Sequence, residues 1–164
     1  MTDPVADPAL RSPAQSPRVL LVLATSAGGI GRHVHSVAVG LVQRGVPVAV
    51  AGPESTDAAF GFRASGIPFH PVEIATTPRP RADLIAANRI RHLAAAADVV
   101  HAHGLRAGFV AGLGLRAGLQ ARLGLRSRRG APPLVVTWHN AVLASGARRR
   151  LLAGLERAVA RFAT

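Results

Sequence analysis

Two kinds of residue in this chain are placed to do chemistry: the glycines of Gly28-Gly29-Ile30-Gly31 and the histidines His101, His103 and His139. A glycine run that opens a helix brings unbonded backbone N–H groups and the positive end of the helix dipole to one point, which suits an anion, most often a phosphate. The same glycines also serve a tight strand-to-helix turn that binds nothing. Their spacing is not G-x-G-x-x-G, and no Lys-Ser/Thr follows, so a dinucleotide site of that type and a P-loop ATPase are disfavoured. His101 and His103 are two apart and share one face of a strand. His139 stands just past another apolar run, beside Trp138. Neutral imidazoles can ligate zinc. With no cysteine in the chain and no carboxylate beside these histidines, metal is not expected. The histidines then read either as hydrogen-bonded packing residues or as polar contacts to a ligand.

The missing groups narrow the chemistry further. There is no pair of carboxylates placed for acid–base hydrolysis, and Ser26 is not in a G-x-S-x-G elbow. Without cysteine there is no thiol nucleophile and no disulfide frame.

The elements that position these residues follow from apolar runs and breakers. Residues 18–24 are an apolar run suited to a strand buried on both faces. Residues 31–44 then carry Val34, Val37, Ala38, Leu41 and Val42 at helical spacing. Further strands are expected at 47–51, 69–74, 98–103 and 134–138. Further helices are expected at 57–64, 82–97, 105–125 and 147–162, the last with Leu151, Leu152, Leu155, Val159 and Phe162 as its apolar set. Pro78 and Pro80 mark 76–81 as a loop. The segments GLRAG, GLRAG and GLRSR recur every ten residues from Gly104, and this reads as low complexity. Alternating strands and helices make the fold α/β with a parallel sheet. In such a sheet ligands bind outside the carboxyl ends of the strands. There the chain gathers Ala27, Gly28, Gly29 and Gly31, then Pro53 and Glu54, then His101 and His103, then Trp138, His139 and Asn140. Asp98 opens its strand and lies at the far edge.

Of 164 residues, 20 are basic, all of them Arg, and 8 are acidic, giving a net charge of +12. Such a surplus attracts phosphates. Aromatic content of 4% offers few stacking platforms for single strands, and no recognition-helix signature is present, so nucleic acid is not an expected partner. Arg79 and Arg81 in one loop and Arg126, Arg128 and Arg129 in another point instead to peripheral contact with an anionic membrane. Residues 1–17, with four prolines, read as a disordered tail without the apolar core of a secretory signal. No run of 18 uncharged apolar residues is present. These features together lead us to expect a cytoplasmic protein, peripheral at the inner face of the membrane where its basic loops engage.

Three segments occur in order: Gly28-Gly-Ile-Gly-Arg-His33, Asp98-Val-Val-His-Ala-His-Gly104 and Val135-Val-Thr-Trp-His-Asn140. Together they resemble the N-terminal half of the family 4 glycosyltransferases, which have the GT-B fold, over residues 18–164. The resemblance implies a Rossmann-like parallel sheet with helices on both faces, one of two such domains facing each other across a cleft. It implies that this domain binds the acceptor while the second binds a nucleotide-sugar donor, with anomeric configuration retained and no metal or other cofactor. Gly28, Gly29 and Gly31 would then lie beside the donor phosphates and sugar. His139 would hydrogen-bond the transferring sugar as the catalytic contact, and His103, Asn140 and Arg32 would line the acceptor side. The leaving phosphate would take the acceptor proton.

The family's second domain is not among these 164 residues, and the sequence ends within its last predicted helix. The chain is therefore expected to be a truncated domain, inactive alone and dependent on a donor-binding domain from elsewhere. A non-catalytic phosphate- or nucleotide-sugar-binding module, a split-enzyme subunit working with a partner chain, and another Rossmann-like nucleotide binder are the competing readings. Neither the sugar, the nucleotide nor the acceptor is specified by these residues.

Overall fold

The computed structural model describes residues 16–26, 28–116, 131–138 and 146–163, with the backbone alone over 146–152. The expected tail over residues 1–17 falls almost wholly outside this description. Five strands form one parallel sheet: β1 (Val19–Leu23), β2 (Val48–Gly52), β3 (Phe69–Pro71), β4 (Val99–His103) and β5 (Leu134–Thr137). Their order across the sheet is β3-β2-β1-β4-β5. The order reverses between β1 and β4, which makes the carboxyl ends of those two strands the switch point of a Rossmann-like sheet.

The helices are α1 (Gly29–Gln43), α2 (Glu54–Phe60), α3 (Pro80–Ala94), α4 (Leu105–Leu115) and α5 (Gly146–Phe162). They cover both faces, as β1 requires. Leu20 and Val22 pack with Ala86, Ile90, Val110 and Ala111 of α3 and α4. Leu21 and Leu23 pack on the other face with Val34 and Ala38 of α1.

Several boundaries differ from the sequence reading for local physical reasons. Pro80 does not exclude a helix; it begins one, because the first helical position needs no N–H donor and favours the proline φ. The helix expected at 57–64 is instead α2, with Glu54 and Asp57 in its first turn, ended by Gly61 at φ +69. A separate 3₁₀ turn follows at Arg63–Ser65. The third strand is shorter than 69–74. After Pro71 the chain crosses the carboxyl ends of its neighbours: Val72 N–H donates to Gly52 O at 2.8 Å, and Thr25 N–H to Ile74 O at 2.9 Å. Val42, expected on the buried face of α1, is 47% exposed. The helix expected over 105–125 ends at Leu115, because Arg116 turns to an extended conformation at φ −61 and ψ 117, and residues 117–125 lie outside the described ones.

Three glycines of α4 are packing requirements, whereas the recurrence beyond Arg116 lies outside the described residues. A Cβ on Gly108 would come within 2.9 Å of Val136 and 3.1 Å of Val159. One on Gly112 would overlap Phe162, and one on Gly114 would overlap the carbonyl of Ala87. Small residues thus let α4 lie tightly between α3, β5 and α5.

Candidate functional site

The strand that carries the glycine loop is the central one, so its carboxyl end is flanked on both sides. Beyond Leu23 the chain passes through Thr25 and Ser26 to Gly28, which caps α1 at φ −137 and ψ −144. That conformation lies on the negative-φ side, outside the left-handed region. Among the described residues, a Cβ on Gly28 or Gly29 would meet nothing within 4 Å beyond its chain neighbours. The described surface above the start of α1 is therefore open to an approaching group. Ser26 Oγ accepts a hydrogen bond from Gly31 N–H at 3.2 Å, satisfying one of the donors that the first turn cannot bond internally.

Gly31 differs from its neighbours. It is buried, and a Cβ there would run into the ring of Phe60 on α2. Its lack of a side chain is a packing requirement. Arg32, next on α1, is exposed.

Across the switch point, His103 ends β4, pairs in register with Leu23 of β1 and Thr137 of β5, and is 2% exposed. His101 lies on the same face, its ring centroid 4.1 Å from that of His103. Nε2 of His101 is 2.7 Å from Thr137 Oγ1. The exposed ring of His33, from α1, meets His103 edge-on at 5.6 Å. His33 thus joins the glycine loop to the β4 tip. Sequence reasoning passed over it, although it stands inside the Gly28–His33 segment. Gly104 then turns the chain at φ +87 into α4, its N–H donating to Thr137 O at 2.8 Å.

The described carboxylates around this edge are engaged. Glu54 and Asp57 both bond Arg63, and Glu73 Oε1 accepts Glu54 N–H at 3.2 Å. The Arg63 hydrogen bond pulls the Glu54 carboxyl below its ordinary range, against an opposing effect of desolvation. Asp98 lies at the amino edge, as expected, and bonds Arg18 through both carboxylate oxygens. That contact raises the Arg18 guanidinium pKa further. Among the described residues, no three His, Asp or Glu groups are arranged to hold a metal ion. Trp138 is 42% exposed at the end of β5. Ala27, His139 and Asn140, and the basic loop of Arg126, Arg128 and Arg129, lie outside the described residues.

Arg106, in the first turn of α4, is the residue whose role sequence gave no hint of. Its Nη2 lies 2.6 Å from Asp83 Oδ1 of α3, and its Nε donates to Ala75 O at 3.1 Å. Asp83 Oδ2 in turn accepts Arg79 N–H at 3.1 Å. This buried cluster pins the loop between β3 and α3 beside the carboxyl edge.

A family model described as "Glycosyl transferase 4-like domain" matches residues 28–164. No curated protein matches the chain. Among solved structures, it resembles MurG of Acinetobacter baumannii at 23% identity and a TM-score of 0.53, over 85% of this chain and 40% of that one. It also resembles Anabaena HepE in complex with UDP, at 18% identity and a TM-score of 0.57, over 89% of this chain and 36% of that one. The chain thus spans 40% or less of the length of these two structures. The likeness is one of fold, that of a GT-B glycosyltransferase N-terminal domain.

Proposed function

The chain belongs to the glycosyl transferase 4-like family, and on that premise we propose that it is the acceptor-side half of a retaining glycosyltransferase that moves a sugar from a nucleotide-sugar donor. The observation that carries this reading is the convergence at the β1/β4 switch point. The open start of α1 at Gly28 and Gly29 stands beside the His33–His103 contact.

In this reading the N–H groups at Gly28 and Gly29 and the α1 dipole face the donor diphosphate. Gly31 supports the loop from below by its close fit to Phe60. The acceptor meets Arg32 and the exposed ring of His33, with His103 buried behind it, and Asn140 is assigned to the acceptor as well. His139 hydrogen-bonds the transferring sugar. The engaged state of Glu54, Asp57 and Glu73 supports a reaction in which the donor's own leaving phosphate takes the acceptor proton. No metal or other cofactor is required. A second, donor-binding domain completes the cleft. HepE, solved with UDP, makes a uridine nucleotide the first donor to try.

A half-site of this kind should bind phosphates weakly. Each helix-end interaction contributes about 0.3–1 kcal/mol, against at least about 4 kcal/mol of lost translational and rotational freedom. Titrating the chain with inorganic pyrophosphate and with UDP, followed by backbone amide NMR, tests this. Millimolar binding with shifts centred on Gly28, Gly29 and Arg32 is expected, together with no transfer from UDP-glucose. Micromolar binding, steady turnover by the chain alone, or shifts located elsewhere would overturn the half-enzyme reading.

A further inference from the structure

Leu84 and Ile85 are the most exposed large hydrophobic residues among those described, at 54% and 66%. They are adjacent on α3 and point away from its buried face of Asp83, Ala86, Ala87, Ile90 and Ala94. At helical spacing Arg81, Leu84, Ile85, Asn88, Arg89 and His92 form one outward stripe, and all six are exposed. The stripe therefore has an apolar centre with an arginine on either side along the helix. Arg79, exposed and immediately before the helix, adds a third.

The sign of this face is unbalanced for a structural reason. The one acid of α3 is Asp83, and Arg106 holds it inward in a buried ion pair. The outward stripe keeps its cations and loses its only anion. The nearest exposed acid before the helix is Glu73, which is held back at the β2 tip by Glu54 N–H. An ordinary solvated helix face mixes both signs and spares large apolar side chains. A face with two adjacent exposed aliphatics ringed by arginines has the composition of a helix that lies in a bilayer interface.

We infer that the outward face of α3 is a membrane-docking surface, with Leu84 and Ile85 entering the headgroup–acyl boundary of an anionic leaflet and Arg79, Arg81 and Arg89 engaging lipid phosphates. No described helix is long and apolar enough to cross a membrane, so the contact is peripheral. The start of α3 adjoins the loop that crosses the carboxyl ends of β2 and β1. Docking by this face brings that edge of the sheet to the bilayer surface. The inference stands on its own, whether or not the chain handles a nucleotide sugar.

Vesicle co-sedimentation of the full 164-residue chain tests it, using phosphatidylcholine with and without phosphatidylglycerol. The chain should bind the anionic vesicles and leave the neutral ones. Arg81→Gln/Arg89→Gln should weaken binding about fivefold per arginine. Leu84→Gln/Ile85→Gln keeps charge and helix propensity, and should weaken it about tenfold or more while removing the part that survives high salt. Arg44→Gln, on the opposite face of the sheet at the end of α1, should bind as the parent does. Circular dichroism would verify that each variant is folded. Equal binding to neutral vesicles overturns the inference. So does parental binding by Leu84→Gln/Ile85→Gln, an equal loss in Arg44→Gln, or a vesicle-independent dimer that this double variant abolishes.

Discussion

Nη2 of Arg106 lies 2.6 Å from Asp83 Oδ1, and both side chains are more than nine-tenths buried. The pair joins α4 to α3 and, through Ala75 O and Arg79 N–H, to the loop beside the carboxyl edge. Removing one member leaves a buried charge without its partner, which costs about 3–5 kcal/mol. Asp83→Asn and Arg106→Met should each lower the urea midpoint by that equivalent. Nη1 of Arg106 finds no acceptor among the described residues, so the native pair is itself incompletely satisfied. The double variant Asp83→Leu/Arg106→Met should therefore recover much of the loss. Additive losses in the double variant would show that the two groups do not act as a pair.

Helix α5 offers the opposite case. Gly154 lies in its interior, and a Cβ there meets nothing within 4 Å. Alanine avoids the entropic cost of an interior helical glycine, about 0.5–1 kcal/mol. Gly154→Ala should raise the melting temperature by about 1–4 °C. Gly114→Ala, in α4, should lower it, because the added methyl meets the Ala87 carbonyl and overpacking costs about 1–3 kcal/mol. Identical chemistry with opposite signs is the readout.

The contrast between these glycines marks where sequence is legible. The strand β1 and its glycine loop were readable because a run buried on both faces is apolar at every position, and a helix start after it leaves few alternatives. Spacing alone marked Val34 and Ala38 of α1 and Leu155 and Val159 of α5 as buried, but it misplaced Val42. Pro80 was misread because two prolines in three residues suggest a loop, yet the first helical position tolerates proline. Gly31 was grouped with Gly28 and Gly29 by adjacency, although its need for glycine comes from Phe60, 29 positions further on. The pair Asp83–Arg106 was invisible because its members stand 23 positions apart and Arg106 sits in a repeat that looks like surface. His33 joins the site only because the sheet order places β4 beside β1.

The Arg63 cluster makes stability depend on acid. Its hydrogen bonds to Glu54 lower the folded-state pKa of that carboxyl below 4.5. The contribution is complete above the unfolded value and is lost as pH falls through the folded one. Melting temperature should thus decline below pH 4.5 through this group. The decline should be shallower in Glu54→Gln, which has no such proton to bind. Parallel acid limbs in the two proteins would exclude Glu54 as a contributor.

Gly28 and Gly31 should separate binding from folding. At Gly28 an added methyl meets open space, and φ of −137 is accessible to alanine. Gly28→Ala should fold with a melting temperature close to the parent's. If the start of α1 approaches a diphosphate, however, the methyl occupies the surface that the ligand needs. Pyrophosphate-induced amide shifts at Gly29 and Arg32 should then fall several-fold at equal concentration. At Gly31 the methyl meets the Phe60 ring instead. Gly31→Ala should lose about 1–3 kcal/mol of stability, with weaker pyrophosphate shifts only to the extent that α1 is displaced. The decisive comparison is below both melting temperatures, where the two variants are equally folded. There Gly28→Ala should show the larger loss of pyrophosphate response and Gly31→Ala the larger loss of heat resistance. An undiminished response in Gly28→Ala would make the loop a turn and nothing more.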